Sequence, residues 1–355
     1  MNKKEILTLK KQFVPSRTCV RKIAGCMVKE RELVATFKRD IHLYTQEEVT
    51  KYLELFKKAL TGQIGKTLVN LEFPAKENHL KQKEMLLLRD SELGNDEVLN
   101  SFYKKIHKNY KTSGDYIILI ADGEFDIPPS KDSGQEDSES TYHYILTLLC
   151  PVILDKEALS YNSALSKVEY HMPDWIIGSP EKAFLFPAFH DGGADIHNML
   201  YYSKKANDLQ EDFLENMFEV SCLPDAERQK TAFSEALVNS RMTFDNAVQL
   251  RQVIQDMGLD LKEDPMDLPV LKKICEHSGI PTDKLTQVMM AHGVNKLYSQ
   301  NVINEKTTSI KTDDIEVKIP VELLPLVSIE KVNGYSCIVI KPNGKIKIDD
   351  VEVQI

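Results

Sequence analysis

Apolar residues recur every three or four positions in some stretches of the chain, and at every second position or in unbroken runs in others. That mixture predicts helices and strands folded together. Ile6, Leu9 and Phe13 share one face of a short helix that Pro15 stops. Residues 18–29 and 32–37 read as a hairpin joined at Glu30-Arg31, with Gly25 as a bulge. Thr45 and Glu48 have the spacing of a capping box and open a helix through Val49, Leu53, Phe56 and Leu60, ended by Gly62 and Gly65. A short strand at 68–73 precedes two helices, at about 76–90 and 96–110. Tyr116–Ala121, inside a strand over 115–125, is continuously apolar, as in a strand buried on both faces. A second such strand, 143–154, contains Pro151, which predicts an edge or a bend there. Between them, 129–140 holds Gly, Ser and acids without a large apolar residue and is expected to be a mobile acidic loop. If the flanking strands pair antiparallel, the loop is an insertion within one domain.

From Asp208 to about Gln300 the spacing is helical, and residues 205–265 hold 13 acids against 6 bases. From Thr308 the period falls to two, and Asn333-Gly334 and Asn343-Gly344 separate short strands, a strong hairpin signal. The expectation is an α+β protein in three parts: an N-terminal unit over 1–204 built on a mixed or antiparallel sheet, an acidic helical segment over 205–304, and a small β-meander over 305–355.

Composition narrows the function classes. A chain of 355 residues with 42% hydrophobic and 28% charged residues is an ordinary globular sequence of about two domains. No apolar run has the length of a signal peptide or of a membrane span, so the chain is expected in the cytoplasm, away from membranes. Six cysteines stand singly, with no C-x-x-C pair, which argues for reduced thiols and against a zinc ribbon or a disulfide framework. The net charge of −9 is uneven, because residues 1–66 carry 15 Lys and Arg against 7 Asp and Glu, a net +8. Lys3, Lys4, Lys10, Lys11, Arg17, Arg21 and Lys22 form a basic segment that suits RNA or another polyanion, or the chain's own acidic segment.

Candidate chemistry concentrates in 170–202, which holds the only tryptophan, Trp175, with Phe184, Phe186, Phe189, Tyr201 and Tyr202. Trp175 and Phe186, set among prolines, suit either a ligand-facing wall or a core under irregular backbone. His190, Asp191, Asp195 and His197 are ligand types for a divalent metal. The competing reading is a turn folded by Asp191, with Asp195 capping a helix over Ile196–Tyr202. Asp122, Glu124 and Asp126, at the end of the 115–125 strand, offer an acid-base pair, a cation site or a solvated loop. No phosphate loop, dinucleotide fingerprint or nucleophile elbow is present.

The segments MNKKEILTLKK, TFK at 36–38, YLELFKKALTG at 52–62, LSYN at 159–162, DWIIGSPEKAFLFPAF at 174–189 and DIHNMLYYSK at 195–204 resemble an uncharacterised bacterial family of Gram-positive anaerobes, of the domain-of-unknown-function 4317 type. The resemblance covers most of the chain and implies no activity. The family pattern has Asn and Arg where this chain has His190 and Gly192, and agrees at Asp191, Asp195 and His197. The resulting expectation is a noncatalytic binding or regulatory protein with an unknown protein or small-molecule partner. The alternatives are a metal-dependent hydrolase using Asp191, Asp195 and His197, and polyanion binding through the basic segment.

Overall fold

A computed structural model describes residues 1–74, 79–127, 140–190, 192–256, 264–304, 306–341, 344–348 and 351–352, and the architecture is that of these residues. The predicted loop at 129–140 lies outside them except for Ser140. Contacts divide the chain into two compact units, Met1–Asp225 and Ala226–Ile355. The first runs α1 (Lys3–Lys10), β1 (Val20–Lys29), β2 (Glu32–Asp40), α2 (Gln46–Ala59), β3 (Leu68–Glu72), α3 (Leu80–Asp90), α4 (Asp96–Asn109), β4 (Tyr116–Ile127) and β5 (Ser140–Leu154). It continues with β6 (Ala158–Asn162), β7 (Lys167–His171), β8 (Trp175–Ile177), β9 (Lys182–Phe186), β10 (Ala188–His190), β11 (Gly193–Asp195), β12 (Asn198–Ser203) and α5 (Glu211–Phe218).

One antiparallel sheet organises this unit, in the order β2-β1-β4-β5-β9-β12-β3, with β8 added along the end of β5. The fold is α+β, with helices on both faces of the sheet. Alternation decides which residue meets which helix. Ile118 and Ile120 of β4, opposite Cys26 and Ala24 of β1, join Ile145 and Leu149 of β5 on the face packed against α3, α4 and α5. The opposite face carries Tyr144 of β5, whose ring meets Phe13, and Phe13 in turn meets Phe56 of α2. Burial on both faces is what the continuous apolar runs require.

Several local expectations hold in detail. Thr45 makes the expected capping box with Glu48, and the structure adds one at α1 between Asn2 and Glu5. Glu30 and Arg31, at φ 51° and 65°, form the left-handed two-residue turn that suits the strand twist of a hairpin. Gly25 is not a bulge, because the pairing shifts between Met27 and Val28 instead. A Cβ at Gly25 would sit 2.4 Å from the Phe37 ring and 3.0 Å from the Ile118 carbonyl, so the missing side chain makes room for the ring. Residues 198–203 form β12 rather than the helix that Asp195 was expected to cap. Hydrogen bonding to β9 on one side and β3 on the other, which a sequence window does not contain, decides this. The helical spacing of 209–217 does become α5, but Phe213, Leu214, Met217 and Phe218 are buried in the first unit's core.

The second unit contains α6 (Ala226–Asn239), α7 (Phe244–Asp256), β13 (Met266–Asp267), α8 (Leu268–His277), α9 (Leu285–Ala291), β14 (Lys296–Leu297) and α10 (Ser299–Val302). Its core gathers Phe233, Leu250, Ile254, Leu271, Leu285 and Met289. Beyond it, β15 (Thr307–Lys311) pairs with β16 (Glu316–Pro320), a 3-10 turn spans Val321–Leu326, β17 (Val327–Val332) pairs with β18 (Tyr335–Ile340), and β19 (Lys347–Ile348) pairs with β20 (Val351–Glu352). Among the described residues no helix is long and apolar enough to cross a membrane.

Candidate functional site

Of the aspartate and histidine residues singled out in the sequence, His190 ends β10, Asp195 ends β11 and His197 immediately precedes β12. Asp191 lies outside the described residues. Asp195 Oδ1 accepts the His197 backbone N–H at 3.0 Å and Oδ2 accepts Asn198 Nδ2 at 2.7 Å, so the carboxylate closes a turn into β12. His197 Nδ1 stands 3.2 Å from Gln82 Nε2, and His190 Nδ1 stands 3.1 Å from Glu5 Oε1. Among the described residues no group of three His, Cys, Asp or Glu side chains is placed to hold a metal ion.

The two aromatic candidates are held apart. Phe186 is fully buried and pairs with Ile145 near the start of β5, whereas Trp175 pairs with Leu154 at its end. Nine residues of strand separate those positions, on the order of 30 Å. Phe186 packs edge-on against Phe73, while Trp175 is 48% exposed, with Lys29 Nζ 5.3 Å from the centre of its ring.

The acids at the end of the 115–125 strand lie on β4 itself, and Asp122 is only 1% exposed. It ends the buried row that begins at Ile118, and its carboxylate is held by three donors. Arg21, the residue skipped where β1 shifts register, reaches it with Nε at 3.0 Å and Nη2 at 3.2 Å. His143 Nε2 lies 2.7 Å from Oδ1, the oxygen that Nη2 also reaches. Arg21 also meets Glu124 at 2.6 Å and Glu92 at 3.5 Å, so three carboxylates surround one guanidinium. Arg21 therefore has little capacity left for an external anion. The cluster fastens the loop after α3 to the sheet, where Lys22 also donates to the Glu92 carbonyl at 3.1 Å.

The basic segment is thus divided, since Arg21 and Lys22 serve internal contacts. Lys10, at the end of α1, is lowered in pKa by burial and then by Lys57 of α2. Periodicity gave no hint of Lys182, which is 2% exposed on β9. Its ammonium donates to Ser203 Oγ at 2.9 Å, to Asp208 Oδ2 at 3.0 Å and to the Asp208 carbonyl, fixing the chain between β12 and α5. Burial pushes Cys19 up to about 11 and Cys150 up to about 12, so neither thiol is a nucleophile at neutral pH.

The surface that stands out is the arm over 153–177. In β6 and β7, Leu159 lies opposite Tyr170 and Tyr161 opposite Val168, so the four side chains share one face. That face is exposed, from 58% at Tyr170 to 76% at Leu159. The other face carries Ser160, Asn162, Glu169 and His171, is half-buried, and is tied by Asn162 to Glu169 at 2.7 Å and by His171 to Asp155 at 3.0 Å. The hairpin is inside out: its polar side is sheltered and its apolar side meets water. Leu165, Met172, Trp175 and Ile176 extend the exposed apolar set along the same arm. Leu159, Tyr161, Val168 and Tyr170 alternate with polar residues, and the sheet order shows that neither strand joins the large sheet.

Comparison with curated proteins found no match, and neither did comparison with solved structures. The family described as Domain of unknown function (DUF4317) matches residues 1–351, and the chain belongs to that family.

Proposed function

We propose that this is a noncatalytic binding protein whose recognition surface is the 153–177 arm, and that in solution the arm is covered by the same arm of a second copy. The inside-out hairpin carries the reading. A two-stranded hairpin is marginal alone in water, and an apolar face on it gains stability only when another surface covers it. Ten large apolar residues between Ile153 and Ile176 stand between 48% and 76% exposed. Together they present on the order of 1,000 Å², against roughly 800 Å² per partner in a standard stable interface. The hairpin face carries no charge, so a like apolar face satisfies it, and a two-fold pairing buries both copies at once. Free cysteines, six in number, support a reducing cytosolic setting.

Sedimentation of the full chain at micromolar concentration tests this. The wild type is expected to sediment as a dimer, and the double change Tyr161→Asp with Tyr170→Asp is expected to weaken association by roughly a hundredfold or more, since it sets two charges into the interface centre. Both residues are already exposed, so circular dichroism should not change. A wild type that stays monomeric sinks the proposal of self-association. Hydrolytic turnover that disappears on Asp195→Ala or His197→Ala would overturn the noncatalytic reading.

A further inference from the structure

We propose that the second unit carries a binding site for a small organic anion, an oxyanion head on an apolar body, held by Arg251 and Lys306 in a cavity between α7 and the Val321–Leu326 turn. The cavity has a volume of about 700 Å³. Along α7 its lining residues Val248, Arg251, Gln252 and Gln255 fall at helical spacing on one side of the helix, while Leu250 and Ile254 enter the core. The facing wall is Val321, Leu324 and Pro325, which is apolar, with Lys306 just before β15. An apolar body therefore has a wall to cover, and the cationic groups mark the place for its head.

Arg251 is the residue that points to an anion. Its Nη2 donates to the backbone carbonyls of Asn304 and Thr307, the latter at 3.2 Å, and both acceptors are neutral. Its Nε is buried without a hydrogen-bond partner, and the Thr308 hydroxyl on the next residue is also buried and unpartnered. Among the described residues no carboxylate pairs with Arg251, in contrast to Arg21, which is surrounded by three. Burial lowers the pKa of Arg251, the direction expected of a cation that has lost water without gaining an acid. A half-desolvated guanidinium whose Nη2 is taken by two neutral carbonyls gains most from an oxyanion that its remaining Nη1 donors and the Lys306 ammonium can hold between them. Asp256 and Glu322 also line the cavity. They disfavour ligands with several negative charges, so the site selects a single anionic head rather than a polyanion. The proposal stands apart from the self-association of the arm, which involves other residues in the other unit.

Carboxylates and phosphomonoesters share this head chemistry, so hexanoate and hexyl phosphate are the probes, with hexanol as the uncharged control. Calorimetric titration of the full chain at low salt is expected to show saturable binding of one or both anions and none of hexanol. Arg251→Gln is expected to weaken it about tenfold or more, and Lys306→Gln, at an exposed position, about threefold. No saturable binding of either anion by the wild type, or equal binding of hexanol, overturns the proposal. So does unchanged affinity in Arg251→Gln. Should that variant fail to fold for want of its contacts to Asn304 and Thr307, the exposed Lys306→Gln decides, and unchanged affinity there overturns the site.

Discussion

Arg21→Met is expected to lower the stability of the first unit by about 3 kcal/mol, the low end of the range for removing one partner of a buried ion pair. The low end applies because Arg21 is itself 33% exposed while Asp122 is 1% exposed. The loss arises from what remains: a carboxylate at the end of the buried row that keeps His143 at 2.7 Å but loses both guanidinium donors. The loop after α3 loses its tie to the sheet through Glu92 as well. Two companion variants separate charge from packing. Arg21→Lys keeps a cation without the two-pronged fork and is expected to recover about half the loss. Arg21→Met combined with Asp122→Leu removes the buried charge altogether and is expected to be more stable than Arg21→Met alone. Urea unfolding of each protein supplies the comparison. A loss under about 1 kcal/mol for Arg21→Met would mean that water already reaches Asp122 and that the cluster is a surface pair.

Alkaline unfolding of the first unit is expected to be steep, with its onset near pH 10. Tyr142, Tyr144 and Tyr201 are held well above the ordinary tyrosine range by burial, and the same cause raises Tyr103 and Tyr110. Burial also lifts the thiols of Cys19 and Cys150. A raised folded pKa means that the unfolded chain gives up its proton first. The stability linked to each group is therefore complete below the unfolded pKa, about 10 for tyrosine, and is lost as pH rises above it. Each such group removes roughly 1.4 kcal/mol per pH unit in that window, and several titrate together against a total stability on the order of 10 kcal/mol. Lys182 and Lys10, whose pKa values burial lowers, work in the opposite direction but are fewer than the groups raised. Tyrosinate absorbance and circular dichroism followed together should change in one cooperative step. Gradual tyrosine ionisation around pH 10 with the dichroism intact would show that these hydroxyls reach water in the folded protein.

The sequence by itself determined the elements whose signals are local. The capping box of α2, the Glu30-Arg31 hairpin and the continuous apolar runs of β4 and β5 lie within a few residues of the groups that enforce them, so a short window contains the cause. The same runs implied strands buried on both faces, and both faces are covered. Tertiary structure decided everything that depends on a partner far along the chain. Residues 198–203 are a strand because β9 and β3 flank them, and α5 packs in the first unit because Phe184 and Phe102 wait for Phe218 and Met217 there. Spacing left Asp122 open between an acid-base pair, a cation site and a solvated loop, and Arg21, 101 residues away, is what holds it. The arm shows the same limit from the other side. Alternation of Leu159, Tyr161, Val168 and Tyr170 with polar residues specifies a two-faced hairpin, but which face meets protein depends on where the hairpin leaves the sheet. A strand's periodicity records that one face is to be covered, and carries no information on what covers it.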